Sequence, residues 1–131
     1  MKKKILIAED DLALNRILQL LLKGRYDTIR AINGKEAVEI AATQKPDLIL
    51  MDIVLPVMNG YQATRLIRQN PKTHSIPVIA VTALTSSEER EECFQSGCDD
   101  HIGKPFTTKD LLPCIEKLLK QSSANLSPLA P

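Results

Sequence analysis

Three acids, a hydroxyl and an ammonium stand at the ends of four predicted strands. Asp52 closes Leu48-Ile49-Leu50-Met51, and Glu9 and Asp10 follow Ile5-Leu6-Ile7-Ala8. Thr82 follows Val78-Ile79-Ala80-Val81, and Lys104-Pro105 follows Asp100-His101-Ile102-Gly103. A carboxylate at the end of a buried strand is costly unless a charge or a hydrogen bond meets it. Carboxylates gathered in one crevice repel each other and call for a cation, and an all-oxygen ligand set suits Mg2+, or Mn2+, rather than zinc. The three acids are balanced in formal charge by one divalent ion and Lys104. Such a site can accept a phosphoryl group on a carboxylate, because in-line transfer needs little beyond positioning and charge compensation. Asp52 is the best nucleophile of the three, since it ends the central strand, which reads as buried.

The rest of the chain has to bring these ends together. Leu14, Ile17, Leu18, Leu21 and Leu22 form one helical stripe, with Asp11 as N-cap and Gly24 as stop. Tyr26 to Ile32 reads as a weaker strand. Asn33 caps a helix over Lys35 to Gln44, with Glu36 placed for a capping box. A third helix follows Gly60 with Leu66 and Ile67 inward. A fourth spans Ser87 to Ser96 and stops at Gly97, and the last carries Leu111, Leu112, Ile115, Leu118 and Leu119 on one face. Pro113 conflicts with that last helix, which should start late or bend there.

Alternating strands and helices imply an α/β fold, a doubly wound five-stranded parallel sheet with five helices and right-handed crossovers. With strand order 2-1-3-4-5, strands one and three flank the switch point, where ligands sit outside the carboxyl ends. Glu9, Asp10 and Asp52 would converge there. The chain has 131 residues and a net charge of +1, enough for one domain and no strong field toward nucleic acid or acidic membranes. Lys2-Lys3-Lys4 precedes too short an apolar run for a signal peptide, and no run approaches the ~20 residues of a membrane span. A soluble, cytoplasmic protein is expected. Cys93, Cys98 and Cys114 fit no zinc spacing and read as reduced thiols. Residues 1–120 form the expected domain, and 121–131, rich in Ser, Pro and Asn, a flexible tail or linker stub.

Taken together and in this order, Ile5-Leu6-Ile7-Ala8-Glu9-Asp10-Asp11, Leu48 through Asp52 to Gly60, Val78-Ile79-Ala80-Val81-Thr82-Ala83 and Lys104-Pro105-Phe106 resemble the receiver domain of bacterial two-component response regulators. The likeness covers roughly residues 4–120 and is nearest to single-domain chemotaxis or cell-cycle regulators of flavodoxin-like fold. It implies that Asp52 takes a phosphoryl group from a histidine kinase or phosphotransfer protein. It implies that Asp10 binds Mg2+ directly, Glu9 through water, and the Val54 backbone carbonyl completes the protein's share of the shell. Thr82 would donate its hydroxyl to the phosphate, Ala83 would leave room for its backbone amide, Lys104 would pair with the phosphate, and the Lys104-Pro105 peptide would be cis. Phosphorylation would change the surface of helix four, strand five and helix five for a downstream protein target. His101 departs from the pattern, because similar domains carry Tyr or Phe there. Val54 and Leu84 are apolar where related domains control water access, which implies a long-lived phosphoryl state.

Rival readings are weaker. A Mg2+-dependent phosphohydrolase needs a second acid where Val54 stands. A flavin or dinucleotide binder needs a Gly-rich loop where Asp10-Asp11 stand. A non-phosphorylated binding module leaves the acid set without purpose. The chain can equally be a receiver belonging to a larger kinase or transcription factor. It carries no DNA-binding helix pair and no basic stripe, so output would run through protein contacts. The expected activity is self-phosphorylation and slow self-dephosphorylation, not turnover.

Overall fold

A computed structural model describes residues 2–83 and 86–125. The elements are β1 (Lys4–Ala8), α1 (Leu12–Leu22), β2 (Asp27–Ala31), α2 (Gly34–Gln44), β3 (Leu48–Asp52), α3 (Gly60–Gln69), β4 (Val78–Thr82), α4 (Ser87–Ser96), β5 (Asp100–Gly103) and α5 (Thr108–Asn125). The strands form one parallel sheet in the order β2-β1-β3-β4-β5, as the alternating pattern predicts.

Period-two alternation assigns each strand residue to one of two cores. Ile5, Ile7, Leu48, Leu50, Ile79 and Val81 pack with Leu18 and Leu22 of α1 and Leu111, Ile115 and Leu118 of α5. Leu6, Ala8, Ile49, Met51, Val78 and Ala80 pack with Ala37, Ala63, Ile67 and Cys93 of α2, α3 and α4. Every residue of β3 and β4 is buried. A buried Leu, Ile or Val side chain contributes roughly 1.5–3 kcal/mol, so Asp52 and Thr82 end the two most firmly held strands.

Helix starts follow their caps. Asp11 accepts from Ala13 N and Leu14 N, and Asn33 accepts from Glu36 N at 2.7 Å. Glu36 reaches Ile32 N and not Asn33 N, so the reciprocal half of that box falls one residue early. Asn59 and Gln62 close a complete capping box on α3. α4 ends at Gly97, whose φ of 109° would strain any L side chain.

Four expectations need correction. Ile17 is 50% exposed and Leu66 39% exposed, because the true inward positions are Asn15, Leu18 and Leu22 on α1 and Ala63, Thr64 and Ile67 on α3. β2 is shorter than Tyr26–Ile32 at both ends. Pro113 lies inside α5 on its exposed side without ending the helix, so water can serve the carbonyl it leaves unpaired. α5 continues to Asn125, past the expected boundary at 120, and 126–131 lie outside the described residues.

At the amino ends of β4 and β5 the Arg68 guanidinium binds the carbonyls of Gly97, His74 and Ile76 and the Asp99 carboxylate at 2.7 Å. Asp99 also accepts from Val78 N at 2.8 Å. Near the other end, Gly60 lets α3 rest on β3. A Cβ there would strike the Asp52 carbonyl oxygen and come within 2.7 Å of Ile53 Cα. Both obstacles are backbone and cannot give way cheaply. Gly60→Ala is expected to cost about 1–3 kcal/mol, read as a lower urea midpoint with an unchanged slope. A wild-type midpoint would show that the contact is not tight.

Candidate functional site

β1, β3, β4 and β5 deliver their last residues to one rim, as parallel strands in register must. Asp52 pairs with Val81 and Thr82 with Gly103, so Thr82 stands one residue beyond Asp52 on the adjacent strand. Lys104 follows β5 directly, and its backbone N–H donates to the Thr82 carbonyl at 2.8 Å. That bond ties the turn carrying the ammonium to the end of β4. The Lys104-Pro105 peptide is cis, as the resemblance implies.

The Lys104 side chain reaches across the rim. Its Nζ donates to Glu9 Oε1 at 2.8 Å and to Asp52 Oδ2 at 3.0 Å. Glu9 and Asp52 are buried, and Lys104 keeps about a quarter of its side chain exposed (24%). The remaining carboxylate oxygens are met by backbone, Glu9 Oε2 by Asp11 N at 3.1 Å and Asp52 Oδ1 by Val54 N at 3.0 Å. Removing one member of a buried ion pair typically costs about 3–5 kcal/mol because it strands the other charge. Lys104 has two such partners.

One ammonium does not neutralise this group. Asp10 is exposed beside the two buried acids, and one oxygen from each of Glu9, Asp10 and Asp52 lies within 4.8 Å of the others. Three oxygens at that mutual spacing, with one side open to solvent, fit a hard divalent cation that keeps part of its water. Burial pushes the Glu9 carboxyl above its ordinary value, Lys104 pulls it back and Asp52 adds to the rise. Burial also works against the Lys104 charge, but its hydrogen bonds to Glu9 and Asp52 outweigh this and hold its pKa above the ordinary value.

The remaining candidates lie around this core. Thr82 is buried and Ala83 after it is exposed. Val54 is exposed, with its backbone drawn in by Asp52, and Leu84 lies outside the described residues. Val57 is 78% exposed at a φ of 69°, in a three-residue turn where Met58 N donates to the Pro56 carbonyl at 2.7 Å. A β-branched residue in that region is a genuine outlier. His101 is separate from the acids. Its ring meets Phe94 of α4 edge-on, with centroids 5.9 Å apart. Asn15, on the buried face of α1, was not singled out by spacing, although a polar residue in register with Leu18 and Leu22 is a visible irregularity.

Residues 5–116 match the response regulator receiver domain family. Over 120 residues the chain is 38% identical to the polar-differentiation response regulator DivK of Brucella anthropi, spanning 91% of this chain and 98% of that protein. It is 32% identical to the DNA-binding dual master transcriptional regulator RpaA of Synechocystis, of which it spans 50%. Among solved structures, the receiver domain of sensor histidine kinase PA1611 from Pseudomonas aeruginosa, with a magnesium ion coordinated in its active site cleft, aligns with a TM-score of 0.86 at 34% identity over 92% of this chain and 99% of that one. The receiver domain of a LuxO repressor protein from Vibrio parahaemolyticus aligns with a TM-score of 0.88 at 27% identity, covering 95% of each chain.

The raised Glu9 pKa sets a sign. Stability from such a group is present below its unfolded value of 4.5 and is lost as pH rises through its native value. Once ionised, Glu9 is therefore a liability that a cation would relieve. Lys104 acts as a stabiliser throughout this range, since its contribution is lost only in alkaline solution above its ordinary 10.5. Mg2+ is expected to raise the melting temperature more at pH 7.5 than at pH 5, and Glu9→Gln to narrow that difference. Equal shifts at both pH values in the wild type would contradict the assignment.

Proposed function

The chain belongs to the response regulator receiver domain family, and from that membership we propose that it is a phosphorylation-activated switch of a two-component or phosphorelay system with Asp52 as phosphoacceptor. The observation that carries this reading is the Lys104 ammonium held between Asp52 and Glu9, with Asp10 alongside. A histidine kinase or phosphotransfer protein is the donor. In the transfer a carboxylate oxygen of Asp52 bonds to phosphorus while the P–N bond of the donor's phosphohistidine breaks, leaving the electron pair on the imidazole. Asp10, Glu9, Asp52 and the Val54 carbonyl are the residues that would hold Mg2+, which supplies charge neutralisation to the phosphoryl oxygens.

Lys104 exchanges its contact with the free Asp52 carboxylate for one with the new phosphate, which adds charge and acceptor oxygens. The Thr82 hydroxyl and the Ala83 amide are the further donors. Lys104 N is bonded to the Thr82 carbonyl, so a shift at the end of β4 is transmitted to the β5–α5 turn. The output surface is α4–β5–α5, with His101 against Phe94 at its centre and Pro105 beginning the next connection. The readable output is a change in affinity for a protein target, and both conformations pre-exist within a few kcal/mol. No helix among the described residues is long and apolar enough to cross a membrane. A receiver within a larger regulator is the second reading, favoured by the half-length match to RpaA. The switch chemistry is the same in both.

Incubation with Mg2+ and acetyl phosphate, followed by intact mass measurement, is expected to add one labile phosphoryl group. Asp52→Ala should gain none, and chelating the metal should abolish the gain. A wild-type chain that stays unmodified would overturn the proposal. The Val54 side chain offers no hydrogen bond to orient a water at Asp52, so the phosphoryl state should be long-lived. Val54→Asn is expected to shorten its lifetime, and an unchanged decay rate would count against that role.

A further inference from the structure

The buried face of α1 consists of Leu18, Leu22 and Asn15. Asn15 has no exposed surface. An apolar side chain is the inexpensive choice there, since a buried carboxamide costs free energy unless its donors and its acceptor are all engaged. Here they are. Asn15 Nδ2 donates to the Ile7 carbonyl at 3.3 Å and to the Glu9 carbonyl at 3.1 Å, and its Oδ1 accepts from Gln19 Nε2 at 2.7 Å.

The Glu9 carbonyl belongs to the peptide that joins Glu9 to Asp10. Fixing that peptide plane fixes the backbone torsion after Glu9 and the one before Asp10 together. The other polar groups of Glu9 are bound elsewhere, its N–H to the Ala31 carbonyl at 3.0 Å, Oε2 to Asp11 N and Oε1 to Lys104. Of these partners, Asn15 is the only side chain that does not itself belong to the acid and ammonium group. Asp10 is exposed and depends on its backbone for placement.

We infer that Asn15 is a positioning residue for the cation site, orienting the Glu9–Asp10 peptide so that both carboxylates reach one ion with Asp52. The inference rests on the metal-site reading above and assigns it a determinant on α1 that carries no ligand atom. Residues that orient ligands typically change metal affinity by about 10–100-fold when removed. The side chain would act before any phosphoryl donor is present, so its effect is read on metal binding alone.

Mg2+ affinity of the full chain, measured calorimetrically without phosphodonor, tests this alongside thermal unfolding without metal. Asn15→Ala is expected to weaken Mg2+ binding about tenfold or more. Asn15→Leu fills the same space with the side chain of its neighbours Leu18 and Leu22, so it should fold well and still bind Mg2+ about tenfold more weakly. Thr73→Val is the control. Thr73 is equally buried and bonds the Ile67 carbonyl at 2.7 Å, beyond the amino end of β4. It should lose stability and keep wild-type Mg2+ affinity. Wild-type affinity in both Asn15 variants would overturn the inference while leaving the metal site standing, as would an equal loss in Thr73→Val. A wild-type chain that binds no Mg2+ would remove the metal site and this inference together.

Discussion

The Lys104 ammonium, shared between two buried carboxylates, is the interaction on which the site depends. Without it Glu9 and Asp52 would face each other as like charges in a region poor in water, where both desolvation and repulsion disfavour ionisation. With it, the acids stay close but remain under-neutralised, and Asp10 increases the deficit. A protein that needed only stability would place apolar side chains here. This one keeps a cluster short of positive charge, with a ligand spacing that fits a divalent cation.

The sheet makes that cluster affordable. β1 and β3 are neighbours at the point where chain order reverses, so their ends are not covered by a crossover helix. β3 and β4 are buried on both faces, and Asp52 is attached to the most fully buried part of the sheet. The connections beyond the strands carry the irregular backbone and the long side chain. The turn around Val57 tolerates a left-handed valine, and Lys104 reaches the acids from the edge strand through a flexible stem.

Much of this was legible in the chain because each feature had a local cause. Apolar runs of strand length ended in polar residues, Asp11 and Asn33 sat where caps belong, and Gly97 stood where α4 stops. Failures came where the cause was tertiary. Leu66 and Ile17 satisfy a helical stripe, but the stripe is wider than the strip of sheet available to cover it. The polar run at 121–125 lacks periodicity yet continues as helix, since nothing in Gln121-Ser122-Ser123-Ala124-Asn125 forbids propagation from the packed turns before it. Asn15 could not be valued from spacing, because its amide nitrogen donates to backbone carbonyls that have no sequence signature.

The Arg68 cluster anchors the sheet at the end opposite the acids. Its guanidinium fastens the amino ends of β4 and β5 to α3 through three carbonyls and one carboxylate. Thr82 and the residues after Gly103 lie at the opposite ends of those same strands. Two strands that carry site residues at one end are therefore tied to a single helix at the other, so their spacing at the acid-bearing rim is set by a clamp a strand's length away.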